Sequence, residues 1–568
     1  MSIRGTWYGI EIGRTGLTTA QFGLDVTGHN IANADTLGYT RQRIVSTAYD
    51  PVTTIGRFLP VDSAKVGSGV RVQILDQIRS SYLDRRFRSE NTTAAYWERR
   101  SESLTYLQSF FDNVNEKTSI NYSMAEFFKA VKIVAEDPVA GAPRTLMQTA
   151  AMDLVQQLNM MYDGLIDLQN VENRAVETKI GDINRLAREM VELNKAIYGF
   201  EITGMIANDL RDKRNLIIDK LSSYLDIGYE EYPDQYGHSM FRVWIEDGTK
   251  PPVYLVNHDR RNELAVGWMR NDLEGGNTLA IPIWARDLET PYPRRMDFVT
   301  DEDYEFALDL YEEDLMTAMA LPNSLKFNNI KGGELKAHMD MRDGVGGTNR
   351  GIPYYIEMLN DLARALVFEI NSVHVQGWSD NPIGSETGIL FFDDLTGNTY
   401  AGGEGFIYEL TEEELRNITA KNLRLSDAII ESAYNIAASS KEIKRADEGD
   451  PEELQRHNNI NMNKLYDLFR KTGITMLGRD IGSFDDYGTV IRFDVGNTLH
   501  SANKALDTAK LLTLAAENQR TAIAGVSLDE EMVGLIKYQH AYNGAARVIT
   551  AMDDVLDRLI NGTGRVGL

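Results

Sequence analysis

Cysteine is absent from all 568 residues. Without a thiol the chain has no disulfide, no thiolate zinc site, no iron–sulfur cluster and no cysteine nucleophile. Long apolar runs are missing too, since no stretch approaches the ~18 residues that a membrane span requires. The N-terminal MSIRGTWYGIEIGRTGLTTAQFGLDVTGHN lacks the continuous apolar core of a cleaved secretory signal. Basic charge is scarce: 59 Lys+Arg stand against 84 Asp+Glu, a formal net charge of −25. Phosphate backbones and anionic membrane surfaces need a basic face, so neither nucleic acid nor membrane is an expected partner. Catalytic signatures are also lacking, with no H-E-x-x-H, G-x-x-x-x-G-K-[ST], EF-hand loop or G-x-S-x-G. The eight histidines are scattered along the chain, and no catalytic, cofactor-binding or metal-ligating residue is expected.

What remains is ordinary globular material, 43% hydrophobic and 25% charged, in a chain long enough for three or four domains. The charge is unevenly placed. Residues 1–45 hold four Arg against three acids, and residues 500–568 hold seven Lys+Arg against eight acids. The whole negative excess therefore belongs to the middle, which reads as a solvent-facing body between two neutral ends suited to close packing.

Both ends carry seven-residue apolar repeats. Ile10, Leu17, Leu24 and Ile31 are followed three places later by the small residues Gly13, Ala20, Thr27 and Ala34. The second repeat runs Leu528, Leu535, Tyr542, Ile549 and Leu556, with Tyr538, Ala545, Met552 and Leu559 three places on. Such spacing lays one narrow seam along each helix, and small residues admit a partner closely. Ser527 and Glu530 form an S-x-x-E capping box, and Asn561-Gly562 marks the expected end. The seams are ~33 Å and ~48 Å long at 1.5 Å per residue. A pair of that size is marginal alone and is expected to order fully only with added neighbours.

Between the ends, residues 76–228 read mostly as helix, with a heptad at Val176, Ile183, Met190 and Ile197 and breaks at 137–143 and 199–207. Alternation at Phe241, Val243 and Ile245, then Asp247-Gly248 and Val253–Val256, reads as strand, turn, strand. A helix over 353–372 presents Ile356, Leu359, Leu362, Ala363, Leu366 and Ile370 on one face. Helices are expected to resume near 426, 452 and 499. The fold class is α+β: paired terminal coiled-coil helices, a long-helix bundle and an inserted β-rich outer domain. The expected divisions are 1–60 with 499–568 (terminal coiled coil), 61–228 with 336–375 and 426–498 (helical), 229–335 (β-rich insert) and 376–425 (a smaller loop and strand insertion). The acidic run from Asp301 to Asp314 reads as a solvated face.

After the first helix comes Asn30-Ile31-Ala32-Asn33-Ala34-Asp35-Thr36-Leu37-Gly38-Tyr39-Thr40-Arg41-Gln42. Asn33 and Asp35 end helices, Gly38 suits a left-handed cap, and Tyr39, Arg41 and Arg43 alternate as in a strand. The stretch resembles the N-terminal signature of the flagellar axial proteins, A-N-x-x-T-x-G-Y-x-R, matched here by Ala32, Asn33, Thr36, Gly38, Tyr39 and Arg41. The run from Gly525 through Ser527, Glu530, Leu535, Tyr538, Tyr542 and Ile549 to Leu556 resembles the closing helix of the same family. Ala135-Glu136-Asp137-Pro138 and Asn208-Asp209-Leu210-Arg211-Asp212-Lys213-Arg214 look like the helical domain of its hook-associated branch. The resemblance covers 1–230, about 335–375 and 490–562, and leaves 229–335 without a counterpart.

The resemblance implies a structural role at the hook–filament junction, or alternatively in the hook or distal rod. It implies a ring of copies with paired terminal helices lining a channel. The implied partners are further copies, the hook protein, the second junction protein and an export chaperone on the C-terminal helix. It also implies an extracellular place in the flagellum, reached through the flagellar type III apparatus without a cleaved signal, where the signal rules alone would say cytoplasm. Tyr39 and Arg41 are expected to touch a neighbouring subunit.

Overall fold

The computed structural model describes residues 7–49, 67, 69–111, 119–270, 278–381, 384–444 and 456–563. The chain opens with α1 (Trp7–Ala32), followed by an antiparallel pair, β1 (Gln42–Ala48) and β2 (Val70–Gln77). Four helices follow: α2 (Ser81–Phe111), α3 (Ile120–Glu136), α4 (Gly141–Glu201) and α5 (Asn208–Tyr224). A four-stranded antiparallel sheet comprises β3 (Ile227–Pro233), β4 (Ser239–Ile245), β5 (Tyr254–Asn257) and β6 (Arg260–Arg261). The hairpin β7 (Leu264–Arg270) and β8 (Thr278–Trp284) precedes α6 (Asp301–Ala320) and α7 (Gly333–Asp343). A short hairpin, β9 (Val345–Gly346) with β10 (Asn349–Arg350), leads into α8 (Ile352–His374). The short helices α9 (Glu412–Asn417), α10 (Asp427–Glu431) and α11 (Ile460–Asp467) and the pair β11 (Ile474–Met476), β12 (Arg479–Gly482) come next. Two long helices close the chain, α12 (Tyr487–Ala524) and α13 (Leu528–Thr563). No helix among the described residues is long and apolar enough to cross a membrane.

The spine is α4, 61 residues and about 90 Å long at 1.5 Å per residue. Its buried stripe is continuous, from Met147 and Leu154 through Leu165 to Val176, Ile183, Met190 and Ile197, the 3- and 4-residue spacing of one helix face. The first half packs into a core with α3, α8, Phe391, Phe392, α11 and the start of α12. The second half packs into another core with α5 and the strands, including Phe241, Val243, Ile245 and Trp284. The expected boundary at 228/229 therefore cuts through a shared core. The β strands have one face to bury and use Val176–Val191 of α4 to do it, because a small sheet cannot close a core by itself.

The expected alternation in β4 is present, with Phe241, Val243 and Ile245 at 4%, 0% and 2% exposure. The segment 229–335 is not uniformly β, however. Thr300 caps α6 by accepting the Asp303 N–H at 3.1 Å, and Asp301, Glu302 and Asp303 fill its first turn, where carboxylates oppose the helix dipole. On its inner side Tyr311, Leu315 and Ala318 cover Ile281 and Ile283 of β8. A run of carboxylates that reads as surface thus also carries a helix.

The face expected on α8 is buried throughout, with Leu359, Leu362, Ala363, Leu366 and Ile370 at 0% exposure. The helix is covered on nearly every side. Residues 376–425 are mostly irregular, tied in by isolated bridges such as Phe392 to Leu425 and by two residues of α8. Asn371 Oδ1 accepts the Phe391 and Phe392 N–H groups at 2.9 and 3.1 Å. His374 Nδ1 donates to the Ile389 carbonyl at 2.7 Å, and its Nε2 accepts the Ala437 N–H at 2.9 Å. That pattern requires a neutral ring, and burial pulls the His374 pKa down to about 4.

Two helix positions differ from expectation. The helix near 426 is only the five residues of α10, followed by a single 3-10 turn. The start expected near 452 lies outside the described residues. The last long block begins at Tyr487 rather than 499, because Tyr487, Ile491, Val495 and Leu499 anchor its first turns in the main core.

Candidate assembly interface

α1 and α13 run antiparallel, and their contact is built from glycines. A Cβ added at Gly9 would sit 2.6 Å from Met552 Sδ, and one at Gly13 2.6 Å from Ile549 Cγ1. Gly16 faces Ala545, Gly23 faces the Tyr538 ring, and Gly534 faces Thr27. Gly13, Ala20, Gly23 and Thr27 are among the buried positions of α1. The small residues thus form the floor into which the large residues of α13 insert, which is how two helices approach closely.

The expected seam residues divide. Ile10, Leu17, Leu24 and Ile31 are half-buried beside that floor, as are Leu535, Tyr538, Tyr542, Ile549, Met552 and Leu556. Leu528 and Leu559 are exposed, at 52% and 49%. Leu559 falls past the end of α1 because α13 is the longer helix, 36 residues against 26. α13 continues through Asn561-Gly562 to Thr563. The Glu530 carboxylate does not close a box with Ser527, and it accepts from Arg41 Nη1 at 2.6 Å.

At the glycine-to-strand end lies a polar lock that sequence reasoning missed. Asn30, 1% exposed, donates to the Gln42 carbonyl at 2.9 Å and to Glu531 at 3.0 Å. It accepts from the Tyr39 hydroxyl at 2.7 Å and the Gln42 N–H at 3.1 Å, so its amide is fully used. Arg41 Nε donates to Glu531 at 2.7 Å, and the Arg41 N–H to the Ala524 carbonyl at 2.9 Å. Burial alone would lower the Arg41 pKa, but Glu530 and Glu531 outweigh it and hold it above the ordinary value. Burial also raises the Tyr39 phenol, keeping it a donor. The Tyr39 hydroxyl and the Arg41 Nε and Nη1 thus bond within the chain. They join the first helix to the last across some 490 residues of sequence.

The rest of the motif docks on α5. Ala32 ends α1, and the Thr36 N–H returns to the Asn33 carbonyl at 3.0 Å. Gly38 takes φ +77, and a Cβ there would collide with Leu216, so the turn needs glycine. Thr40 gives both its N–H and its hydroxyl to Asp212, at 2.9 and 2.6 Å. Gln42 reaches Asp209 at 3.0 Å and accepts from Asn208 at 3.1 Å. Burial nevertheless leaves the Asp212 pKa above its ordinary value. The Asn208–Arg214 stretch, quoted above as a separate resemblance, is the physical seat of the N-terminal motif.

A second long pair, α2 with α12, was also missed. Val495, Ala502, Ala509 and Ala516 are buried at seven-residue intervals, an alanine seam whose period was visible in sequence but whose residues are too small to register as apolar. Asp219 of α5 holds this pair by accepting from Arg88 and from Arg520, each at 2.7 Å. The two arginines keep its pKa below the ordinary carboxylate value in spite of burial.

The outer side of α13 is uncovered. Val533, Ile536, Val548 and Val555 fall on one face at 100° per residue, away from α1, and are 40–67% exposed. Leu511, Leu512, Leu514 and Ile523 are exposed at the far end of α12. Apolar surface of this extent on terminal helices marks an interaction site.

Comparison with known proteins agrees with this geometry. A family profile described as the flagellar hook-associated protein FlgK helical domain matches residues 104–286. It therefore reaches through β3–β8, a segment expected to have no counterpart. Profiles described as flagella basal body rod protein and flagellar basal body rod FlgEFG protein C-terminal match residues 10–40 and 509–562. Flagellar hook-associated protein 1 of Bacillus subtilis is 27% identical over 98% of this chain and 99% of its own length. That of Escherichia coli is 23% identical over 96% and 98%. The structure of the flagellar hook junction protein FlgK from Burkholderia pseudomallei superposes with a TM-score of 0.53 at 11% identity, covering 78% of this chain and all of that one. With the profiles at both ends and in the middle in register with full-length relatives, the chain belongs to the hook-associated protein 1 family of bacterial flagellar structural proteins.

Proposed function

We propose that the chain is the structural subunit of the ring that joins the flagellar hook to the filament. Its neighbours in this reading are further copies of itself, the hook protein and the second junction protein. It performs no catalysis and binds no cofactor. It reaches the outside of the cell through the flagellar type III apparatus, with a chaperone on the C-terminal helix beforehand.

The observation that carries the reading is the two-sided last helix. One side of α13 is sealed on the glycine floor of α1 and tied by Asn30, Arg41 and Glu531. The other side presents Val533, Ile536, Val548 and Val555 to solvent. A single chain gains nothing from that exposure, whereas a closed ring of copies would cover it through one repeated heterologous contact. The neutral ends favour such packing, and the acidic middle disfavours it elsewhere.

Immunogold labelling of intact flagella tests the assignment. One narrow band where hook meets filament is expected. Label along the hook or within the basal body would place the chain among the hook or distal-rod proteins instead.

A further inference from the structure

The outer domain carries a groove that the terminal helices do not explain. It is about 1030 Å³, with Trp268 of β7, the 290–298 loop and α6 among its walls. The walls include Trp268, Pro291, Tyr292, Pro293, Phe298 and Leu310. Its shape is held from below. The Tyr311 hydroxyl accepts the Trp268 N–H at 2.8 Å, and the Tyr292 ring lies edge-on to Tyr311 at 5.2 Å and tilted to Trp268 at 6.1 Å. Asp314 accepts the N–H groups of Glu289 and Thr290 at 3.0 and 2.7 Å, pinning the start of the loop to α6. Next in sequence to the lining residues are exposed apolar side chains, with Phe306 at 73%, Met296 at 85% and Val299 at 95% exposure.

Charge decides what this surface suits. α6 holds eight carboxylates and no Lys or Arg. Arg270 faces three of them, Glu305, Asp309 and Glu312, and Arg295 pairs with Asp301, leaving the helix strongly negative. α6 gives Ala307 and Leu310 to the groove wall, and the charged residues of the lining itself are Glu177 and Asp297 against Arg294. A second copy would bring the same negative face, whereas a cationic segment is drawn to it. An aromatic, proline-walled groove suits an extended segment, and an acidic rim selects one bearing Lys or Arg.

We propose that this groove is the docking site for an extended, cationic, apolar segment of another protein. The segment's apolar side chains or prolines lie on Trp268, Tyr292 and Phe298, and its basic side chains lie along α6.

The test is fluorescence anisotropy with the full chain and a labelled 16-residue peptide of Lys, Leu and Pro, beside a counterpart with Glu for Lys. Saturable binding of the cationic peptide alone is expected, weakening with salt. Trp268→Ala and Phe298→Ala should each weaken it about tenfold, as for aromatic anchors elsewhere. The exposed Glu313→Lys should weaken it too, with the melting temperature unchanged, so the test holds even where an aromatic variant folds poorly. Equal binding of both peptides, or wild-type binding by the charge-reversed variant, overturns the proposal. So does a Trp268 fluorescence response to oligosaccharide but not to peptide, or Trp268-dependent self-association in sedimentation.

Discussion

α8 and α13 are both long helices with apolar repeats, yet they are packed in opposite ways. In α8 the residues Leu359, Leu362, Ala363, Leu366 and Ile370 are fully buried, and even Asn371 and His374 are at 0% exposure with every ring or amide bond made. In α13 Glu531 is the one side chain among the described residues that falls under a tenth exposed, while Val533 and Ile560 stand at 67% and 68%. Burying an aliphatic side chain is worth about 1.5–3 kcal/mol, so α8 is stabilised by its own chain. α13 leaves much of its apolar surface in water. The contrast separates the part of the molecule that must be folded to exist from the part that must stay ready to assemble.

The sharpest way to break the contrast is to attack the glycine floor. Gly13→Val places side-chain atoms where Ile549 already sits, and Ile549→Asp puts a charge into the same contact, which is costly without a partner. Either variant is expected to abolish incorporation into flagella and swimming while leaving the melting transition of the main core in place. Normal motility would refute the seam.

A smaller but broader effect is expected in amide exchange. The isolated chain should show weak protection across 10–34 and 528–559, ordering on assembly, against strong protection across 356–370, because local opening follows the density of buried contacts. Equal protection of α13 and α8 in the monomer would show that the terminal pair is complete without neighbours.

The smallest effect concerns pH and belongs to the core. His374 is a base whose folded pKa lies near 4, below the ~6.5 of the free side chain. The unfolded chain therefore takes up the proton first as pH falls, and stability is lost between about 6.5 and 4. The full loss is on the order of 3 kcal/mol. His374→Gln should flatten this part of the stability profile. A wild-type profile that is already flat there would contradict the neutral, doubly bonded ring.

Much of this was readable from residues alone. Seven-residue spacing marked both terminal helices, the alternation at Phe241, Val243 and Ile245 marked a strand, and the A-N-x-x-T-x-G-Y-x-R stretch marked the family. The lost details share a cause. The alanine seam of α12 was invisible because alanine contributes little to an apolar pattern yet allows the closest helix approach. α6 was hidden because its eight carboxylates are spread round most of its surface, and only Leu308, Tyr311, Leu315 and Ala318 declare an inner face.

The sequence by itself determined the absence of thiol chemistry, the neutral ends on an acidic middle, and which segments would be amphipathic helices, since all three depend on composition or local period. Only the tertiary structure decided which side of each helix is used, that Tyr39 and Arg41 are turned inward to Asn30, Glu530 and Glu531, and that one helix, α4, runs through two cores. Those outcomes depend on residues hundreds of positions apart meeting at hydrogen-bond distance. Local propensity carries no information about such meetings, and only the packed chain supplies it.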